Sequence, residues 1–261
     1  MDLGLDGRNA LVTGGSQGLG FAIAKALAEE GCNVAIGARG EERLKRAADE
    51  LRAPGVKVVA IPVDFMSEEG CRSFVDRAVA ALGGCDILVN NVGGMAPGTL
   101  DSFTAEQWKE TIDRNLMSYI HTTKFAIPHL KKSPAGRILN VSGISGTMLF
   151  PGALSTTLPN AAIIGFSKLM ANDLAPFNIL VNNICPGIID VESWGPRAER
   201  MAKARGKTVE EVRGSLAGMA MLNRLGRPEE VGWLAAFLVS AKNSYMTGTT
   251  VECCGGATKY I

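Results

Sequence analysis

The chain has 261 residues, of which 46% are hydrophobic, and its 27 Lys and Arg residues nearly balance its 26 Asp and Glu residues. A chain of this length can bury a sizeable core, and a formal net charge of +1 gives it no long-range attraction for nucleic acid. No stretch reaches the roughly 18 apolar residues of a membrane span, and the N-terminal MDLGLDGR lacks a signal pattern, so we expect a cytoplasmic protein with no membrane or nucleic-acid partner.

Six cysteines are scattered at positions 32, 71, 85, 185, 253 and 254. They form no C-x-x-C pair and no zinc-binding spacing, so we expect reduced thiols and no metal site. The adjacent Cys253 and Cys254 are only a weak indication of redox chemistry.

Short β-rich runs alternate with longer helical runs along the chain. We predict strands over 8–12, 33–38, 56–62, 86–90, 136–141, 178–184 and 248–253. We predict helices over 18–30, 41–52, 67–82, 104–131, 160–174 and 228–240. Apolar, branched strands are typical of a parallel sheet that is covered on both faces. The alternation therefore predicts an α/β fold, with one doubly wound, Rossmann-type parallel sheet of about seven strands in a single domain over 1–261.

Residues 192–223 break this alternation. The segment is long and charged, and it precedes the last predicted helix. Long insertions of this kind are often functional loops, so we predict a substrate lid within the domain rather than a second domain.

A glycine-rich turn, LVTGGSQGLG over 11–20, follows the first predicted strand. Gly14, Gly18 and Gly20 would let the turn tighten and bring the backbone close to a pyrophosphate. The helix that follows would offer its N–H groups and the positive end of its dipole. Glycines placed between a strand and a helix therefore predict nucleotide binding; the alternative is a turn whose glycines serve packing alone.

The residues after the second predicted strand bear on the choice of nucleotide. An NAD site would place an Asp or Glu there to bind the ribose 2′-hydroxyl, but position 38 is Ala and Arg39 follows it. Arginine can hold a 2′-phosphate bidentately, whereas a carboxylate would repel it. We therefore favour NADP(H) as the cofactor. NAD(H) stays the alternative, because Gln17 stands where a second basic residue would help.

Further motifs follow in chain order: VD at 63–64, NNVGG at 90–94, DRNLMSYI around Asn115, ILNVSGISG around Ser142, NNICPG at 182–187 and the closing TGTTVECCGG. Together with TGGSQGLG at 13–20 they resemble the short-chain dehydrogenase/reductase family over nearly the whole chain. The resemblance implies a nicotinamide-dependent oxidoreductase that acts on a carbonyl or an alcohol. By the same resemblance, we expect a homotetramer or a hetero-oligomer with a paralogue.

The resemblance also implies which residues meet the cofactor and the substrate. At the reacting centre it implies Asn115 as the support of a proton-relay water and Ser142 as the residue that orients the substrate carbonyl. Val191 stands where relatives commonly carry a Thr that bonds the nicotinamide amide, although the Ile189 backbone could make that bond. The residues expected at the cofactor are Gly14, Ser16, Gln17, Gly18, Leu19, Gly20, Arg39, Asp64, Phe65, Asn91, Gly93, Asn160, Pro186, Gly187 and Ile189.

The family's proton donor is a Tyr followed four residues later by a Lys, and this chain departs from that pattern. The run NAAIIGFSKLMANDLAPFNILVNNICPG sets the register and puts Thr156 at the Tyr position and Asn160 at the Lys position. Another register does not restore the pair, because Lys168 would need a tyrosine at Ile164 or Ala161. A threonine hydroxyl is far too weak an acid to replace a phenol, and loss of a general acid typically costs about 10²–10⁴ in rate.

Pro159 is a second departure in the same segment. Proline has no N–H and disfavours helical geometry in the residue before it, yet it is accepted at the first position of a helix. We therefore predict that this helix begins near Pro159 and that Thr156 lies in a turn or loop.

Other ionisable groups could supply the proton. His121 and His129 lie on the helix predicted over 104–131, where packing or surface positions are the simpler interpretation.

The predicted lid also carries an aromatic residue and several carboxylates. Trp194 either covers the pocket or anchors the lid. Carboxylates in or near the predicted lid could also reach a substrate, although most such groups are simply solvated: Asp190, Glu192 and Glu199.

Three functions stay open from the sequence. The first is an NADP(H)-dependent oxidoreductase with a nonstandard proton route through water, a lid carboxylate or the substrate itself. The second is a catalytically silent subunit that supports an active paralogue, and the third is a non-redox lyase, dehydratase or isomerase. A small-molecule substrate, anionic or linked to coenzyme A, is one explanation of the basic residues in the lid, and a solvated mixed-charge helix is the other: Arg197, Arg200, Lys203, Arg205, Lys207 and Arg213.

Overall fold

Seven strands form the centre of the molecule, whose computed structural model describes residues 2–96, 98–150, 152–192 and 194–258. The strands are β1 (Asn9–Thr13), β2 (Asn33–Ala38), β3 (Val58–Pro62), β4 (Ile87–Asn90), β5 (Arg137–Val141), β6 (Leu180–Pro186) and β7 (Thr250–Cys253). They pair in parallel in one sheet of order β3-β2-β1-β4-β5-β6-β7. The predicted doubly wound α/β fold is confirmed, and each predicted strand boundary lies within two residues of the observed one.

Helices cover both faces of this sheet. They are α1 (Gly18–Glu29), α2 (Glu41–Leu51), α3 (Glu68–Leu82), α4 (Ala105–Ile112), α5 (Ser118–Leu130), α6 (Leu154–Leu174), α7 (Trp194–Arg205), α8 (Val209–Ala217) and α9 (Pro228–Val239). One core lies between the sheet and α1, α2 and α9, and the other lies between the sheet and α3, α5 and α6. Within the described ranges, no helix combines the length and the apolar character needed to cross a membrane.

The helix predicted over 104–131 is interrupted. A π-helical turn at Asp113–Met117 separates α4 from α5. Such wide turns are rare and occur frequently at functional sites. Asn115 lies within the turn and is buried, and its Oδ1 accepts a hydrogen bond from the Gly94 N–H at 2.7 Å. The wide turn therefore directs this side chain toward the loop that follows β4.

The predicted start of α6 is wrong. The helix begins at Leu154 rather than near Pro159, and Thr156 lies in its first turn. A proline at this depth removes the hydrogen bond to the carbonyl of residue 155, but a tertiary contact holds the first turn in place. The Ser155 hydroxyl donates to the Ala96 carbonyl at 2.6 Å and accepts from the Ala96 N–H at 3.2 Å. This anchoring outweighs the local helix-breaking signal.

Two helices, α7 and α8, occupy the segment predicted as a lid. The chain enters these two helices from the carboxyl end of β6, and it then continues through α9 to β7. Their contact is a small apolar cluster of its own, formed by Ala198, Ala202, Val212 and Leu216, and Trp194 packs against it. The segment therefore has its own packing and lies at the strand ends.

Candidate functional site

A cleft of about 560 Å³ opens at the carboxyl ends of the strands. The loops that follow β1 through β6 all contribute to its lining. The sheet grows from β1 toward β3 on one side and from β4 toward β7 on the other, so the strand order reverses between β1 and β4. Open α/β sheets bind ligands in the crevice at such a switch point, and this cleft is therefore the candidate site.

The turn between β1 and α1 forms one end of the cleft. Gly14 and Gly18 have φ angles of +66° and +59°, which residues with side chains rarely adopt. A Cβ on Gly20 would lie 2.3 Å from the Gly14 carbonyl oxygen, so the close approach of the two backbones requires glycine. The first turn of α1 has no acidic residue, and the side chain of its N-cap, Gln17, makes no capping hydrogen bond. The N–H groups of this turn therefore suit a phosphate group.

Two arginines line the cleft beyond β2. Arg39 follows the strand, and Arg43 in the first turn of α2 donates a hydrogen bond to the Gln17 side chain. No carboxylate from residues 38–43 belongs to the lining. In the part of the chain that the structure describes, neither guanidinium forms an ion pair. Arg43 thus brings a second positive charge to the place where the sequence indicated only Gln17.

Two residues predicted at the cofactor follow β3. Asp64 lines the cleft, and its Oδ1 accepts a hydrogen bond from the Met66 N–H at 3.1 Å. Phe65 also lines the cleft, but its ring is buried edge-on against Phe74, with the ring centroids 5.0 Å apart. Because Asp64 is exposed, its carboxylate can accept a hydrogen bond from the amino group of a bound base.

The loop after β4 connects the two ends of the cleft. Asn91 donates from Nδ2 to the Gly14 carbonyl at 3.3 Å and so holds the glycine turn in place. Gly93 lines the cleft beside Asn115, whose Oδ1 would lie 3.3 Å from a Cβ at position 93. The Oδ1 atom already accepts the Gly94 N–H, so the Asn115 side chain supports this loop. Its role beside a relay water stays a prediction.

Ser142, Thr156 and Asn160 lie together at the other end of the cleft. The hydroxyl proton of Ser142 has two protein acceptors within reach, the Cys185 Sγ at 3.1 Å and the Ile184 carbonyl oxygen at 3.4 Å. Sulfur is a weak acceptor, and the bond to the carbonyl is long. The Ser142 hydroxyl is therefore able to turn toward a substrate oxygen.

Thr156 and Asn160 are connected through Ser145. The Asn160 amide donates to Ser145 Oγ at 2.8 Å, and Ser145 Oγ donates to Thr156 Oγ1 at 3.4 Å. Thr156 Oγ1 in turn donates to the Ala153 carbonyl at 3.0 Å. This sequence of amide, hydroxyl and carbonyl groups contains no side chain that ionises in the physiological range. It can hold or relay a proton only along the hydroxyl groups.

Tyr119 also lines the cleft, but its phenol is poorly suited to donate a proton there. Its hydroxyl donates to the Val141 carbonyl at 2.7 Å, and burial raises its pKa far above the ordinary value of a tyrosine. A phenol whose ionised form is disfavoured in this way is a poor proton donor. Neither His121 nor His129 belongs to the cleft lining.

Among the lid carboxylates considered as proton sources, Glu192 lines the cleft. Asp190 Oδ2 instead accepts a hydrogen bond from Arg213 at 2.7 Å, and Glu199 is exposed on α7. Within the described ranges, no group of three His, Cys, Asp or Glu side chains is placed to hold a metal ion.

Most residues predicted from the sequence lie in this one lining: Gly14, Ser16, Gln17, Gly18, Leu19, Arg39, Asp64, Phe65, Asn91, Gly93, Asn115, Ser142, Thr156 and Asn160. Four do not. Gly20 is packed against the Gly14 carbonyl, Pro186 is the last residue of β6, and Gly187 and Ile189 line a separate cavity of about 280 Å³. After β6, the wall of the cleft is formed by Val191 and Glu192. The sequence did not single out Arg43 and Arg114, which both line the cleft; the spacing of Arg43 from Arg39 at a helix start was the available signal.

Comparison with known proteins agrees with this geometry. The family described as short chain dehydrogenase matches residues 8–202. The 3-oxoacyl-(acyl-carrier-protein) reductase FabG of Chlamydia muridarum is 36% identical over 248 residues, which are 95% of this chain and 96% of that protein. The oxidoreductase UcpA of Salmonella typhimurium is 37% identical over 256 residues, which are 97% of this chain and 95% of that protein.

Solved structures are similar over the whole length as well. L-sorbose reductase from Gluconobacter frateurii, complexed with NADPH and L-sorbose, superposes with a TM-score of 0.96 at 31% identity and covers 100% of both chains. A short chain dehydrogenase from Burkholderia cenocepacia J2315 in complex with NADP has a TM-score of 0.85 at 32% identity, covering 97% of this chain and 98% of the other.

Proposed function

Because this chain belongs to the short-chain dehydrogenase family, we propose that it binds NADP(H) in the cleft and transfers a hydride between the cofactor and a carbonyl or hydroxyl carbon of a small substrate. The observation that carries this proposal is the continuous cleft between the glycine turn and the group formed by Ser142, Thr156 and Asn160. One lining therefore offers a phosphate site at one end and hydrogen-bonding groups for a carbonyl oxygen at the other.

The protein backbone at the glycine-turn end of the cleft has a geometry that supports dinucleotide binding. Gly14, Gly18 and the start of α1 would hold the pyrophosphate, with Ser16 and Leu19 in the same turn. Arg39 and Arg43 would bind the 2′-phosphate. The adenine would lie near Asp64 and Phe65, and the nicotinamide half near Asn91, Gly93 and Asn160. The bound nicotinamide would supply or accept the hydride.

The proton at the substrate oxygen needs a route other than a phenol. Ser142 would donate a hydrogen bond to the carbonyl oxygen, and Thr156 would donate a second one by giving up its hydrogen bond to the Ala153 carbonyl. Reduction of a ketone consumes one hydride from NADPH and one proton, and the proton would reach the oxygen from solvent along hydroxyl groups or from Glu192. Because a positioned general acid typically contributes about 10²–10⁴ in rate, we expect slow turnover.

The test combines binding with hydride transfer. NADPH and NADH are titrated by fluorescence, and turnover of a panel of ketones and alcohols is followed for the wild type, for Thr156→Tyr/Asn160→Lys, and for the same variant with Pro159→Ala. The matched control, Thr157→Tyr/Ala161→Lys, makes the same exchanges one position along the helix, outside the cleft lining. We expect tight NADPH binding, slow turnover by the wild type, and a rise in kcat of roughly 10²–10⁴ in the first variant but not in the control.

The other possible outcomes either favour a different function or refute the proposal. NADPH binding with turnover only in the Thr156→Tyr/Asn160→Lys variant would favour a silent subunit that supports a paralogue. Product formed without nicotinamide turnover would favour a lyase or dehydratase. Failure to bind either nucleotide would refute the proposal.

A further inference from the structure

Arg197 differs from the other basic residues of the segment 192–223. It lies on α7 and is half-buried, whereas the basic side chains that follow it in the two helices are exposed or paired. Arg213 donates to Asp190. The exposed basic residues are Arg200, Lys203, Arg205 and Lys207. Solvation of a mixed-charge helix therefore accounts for those residues but not for Arg197.

The guanidinium of Arg197 is held in place without a carboxylate. It stacks over the Trp194 ring, with its central carbon 4.2 Å from the ring centroid, and one N–H group points to the Met95 Sδ at 3.4 Å. In the described part of the chain no acidic side chain pairs with it. Burial, and then the charge of Arg200, lower the pKa of Arg197. Among the described residues, most of its five N–H donors thus have no strong acceptor.

Arg197 does not line the cleft itself, but its contact with Met95 puts it on the loop that borders the reacting end. Met95 belongs to the loop after β4, between Gly94, which lines the cleft, and Ala96. Ala96 forms two hydrogen bonds with Ser155, at 2.6 and 3.2 Å, and Ser155 directly precedes Thr156. The guanidinium therefore rests on the loop that is fastened to the first turn of α6, next to the proposed substrate position.

We propose that Arg197 binds an anionic group of the substrate, a carboxylate or a phosphate, while the substrate carbonyl faces Ser142 and Thr156. The proposal rests on the proposed oxidoreductase function and narrows its substrate to oxo or hydroxy acids and to phosphorylated carbonyl compounds. Stacking on Trp194 fixes the plane of the guanidinium, so its fork is already oriented for two parallel hydrogen bonds. Partial burial strengthens the attraction relative to that of an exposed arginine.

The experiment measures binding to the protein–NADP⁺ complex, in which a ketone cannot be reduced. Two pairs of ligands differ in charge: acetoacetate with methyl acetoacetate, and dihydroxyacetone phosphate with dihydroxyacetone. Calorimetric titrations are run on the wild type, Arg197→Met, Arg197→Lys and the control Arg200→Met, which removes an exposed arginine of the same helix. NADP⁺ affinity, measured first on each variant, reports that the fold and the cofactor site are intact.

We expect the wild type to bind the charged member of one pair more tightly, and the pair that shows this preference identifies carboxylate or phosphate. Arg197→Met should weaken that binding roughly 10- to 100-fold, the range of a hydrogen bond to a charged group, and leave the neutral partner unchanged. Arg197→Lys should be intermediate, and Arg200→Met should resemble the wild type.

Two results overturn the inference. One is a wild type that binds NADP⁺ but prefers the charged member of neither pair. The other is an equal loss of affinity in Arg197→Met and Arg200→Met. Failure of the wild type to bind NADP⁺ would instead remove the proposed function, on which the inference rests.

Discussion

Replacing Arg39 and Arg43 by alanine should abolish most of the preference for NADPH over NADH. Both side chains line the cleft beyond β2 and are exposed, so water and salt weaken their attraction to a 2′-phosphate. Two charges about 4 Å apart attract by roughly 1 kcal/mol in bulk water and by more near a protein surface. At about 1–1.4 kcal/mol for each arginine, a single variant should bind NADPH roughly 5- to 10-fold more weakly, and the double variant roughly 30- to 100-fold more weakly.

Fluorescence titrations of both nucleotides at low and high salt measure this change. NADH has no 2′-phosphate, so its affinity should stay nearly constant, and added salt should reduce the difference between the two nucleotides in the wild type alone. Lys45→Ala is the control, because Lys45 is an exposed basic residue of α2 that lines neither the cleft nor the pocket beside it. An equal loss of NADPH and NADH affinity in the double variant would refute the reasoning, since it would mean that the arginines maintain the shape of the site.

Three further predictions concern single residues. Iodoacetamide at pH 7 should label Cys254 before Cys32 and Cys71, because hydrogen bonds with the Thr258 hydroxyl and with backbone N–H groups outweigh the burial of Cys254 and lower its pKa, whereas burial raises the pKa of Cys32 and Cys71 to about 12; peptide mapping that found Cys32 or Cys71 labelled before Cys254 would contradict this. Ser155→Ala should reduce the free energy of unfolding by about 1 kcal/mol in urea, because it leaves the part-buried N–H and carbonyl groups of Ala96 without their partner. Hydrogen bonds from Arg224 and from the Arg227 backbone lower the pKa of Glu230 to about 2, so the stability it contributes is present above its ordinary pKa and is lost as pH falls through about 2. Urea unfolding should therefore show Glu230→Gln to be less stable than the wild type at neutral pH, with the difference disappearing in acid; a difference independent of pH would count against this.

The sheet could be predicted because both of its faces are covered. Every residue of β5 and β6 is buried. These strands therefore appear in the sequence as runs of largely apolar residues between polar turns. The glycine turn could be predicted for a related reason. Gly14 and Gly18 adopt φ values that other residues avoid. The turn therefore requires glycine at these positions, and the glycines are visible in the sequence.

Features that depend on contacts between distant segments could not be predicted in the same way. The start of α6 depends on the pairing of Ser155 with Ala96, which lies 59 residues away, whereas Pro159 is a strictly local signal. Arg43 meets Gln17 across 26 residues, and Arg197 meets Met95 across 102 residues. No local pattern distinguishes Arg197 from its solvated neighbours.

The two ends of the cleft differ in how far they tolerate substitutions without loss of the fold. The end proposed to bind phosphate is built mainly from backbone and glycine. The end proposed to face the substrate carries the side chains of Thr156 and Asn160, which hydrogen bond through Ser145 to each other and to the backbone. We expect a substitution there to alter chemistry more than folding, so the two positions can be tested as a pair.

A double-mutant cycle on kcat at positions 156 and 160 tests this directly. Asn160→Lys alone supplies a positive charge but no phenol. Thr156→Tyr alone supplies a phenol, but no neighbouring ammonium lowers the pKa of that phenol. Each single variant should therefore gain little, and the double variant should exceed the product of the two single effects, with a coupling free energy of about 1–3 kcal/mol. A coupling near zero would mean that the two residues act independently and would contradict the expected pairing of a phenol with an ammonium.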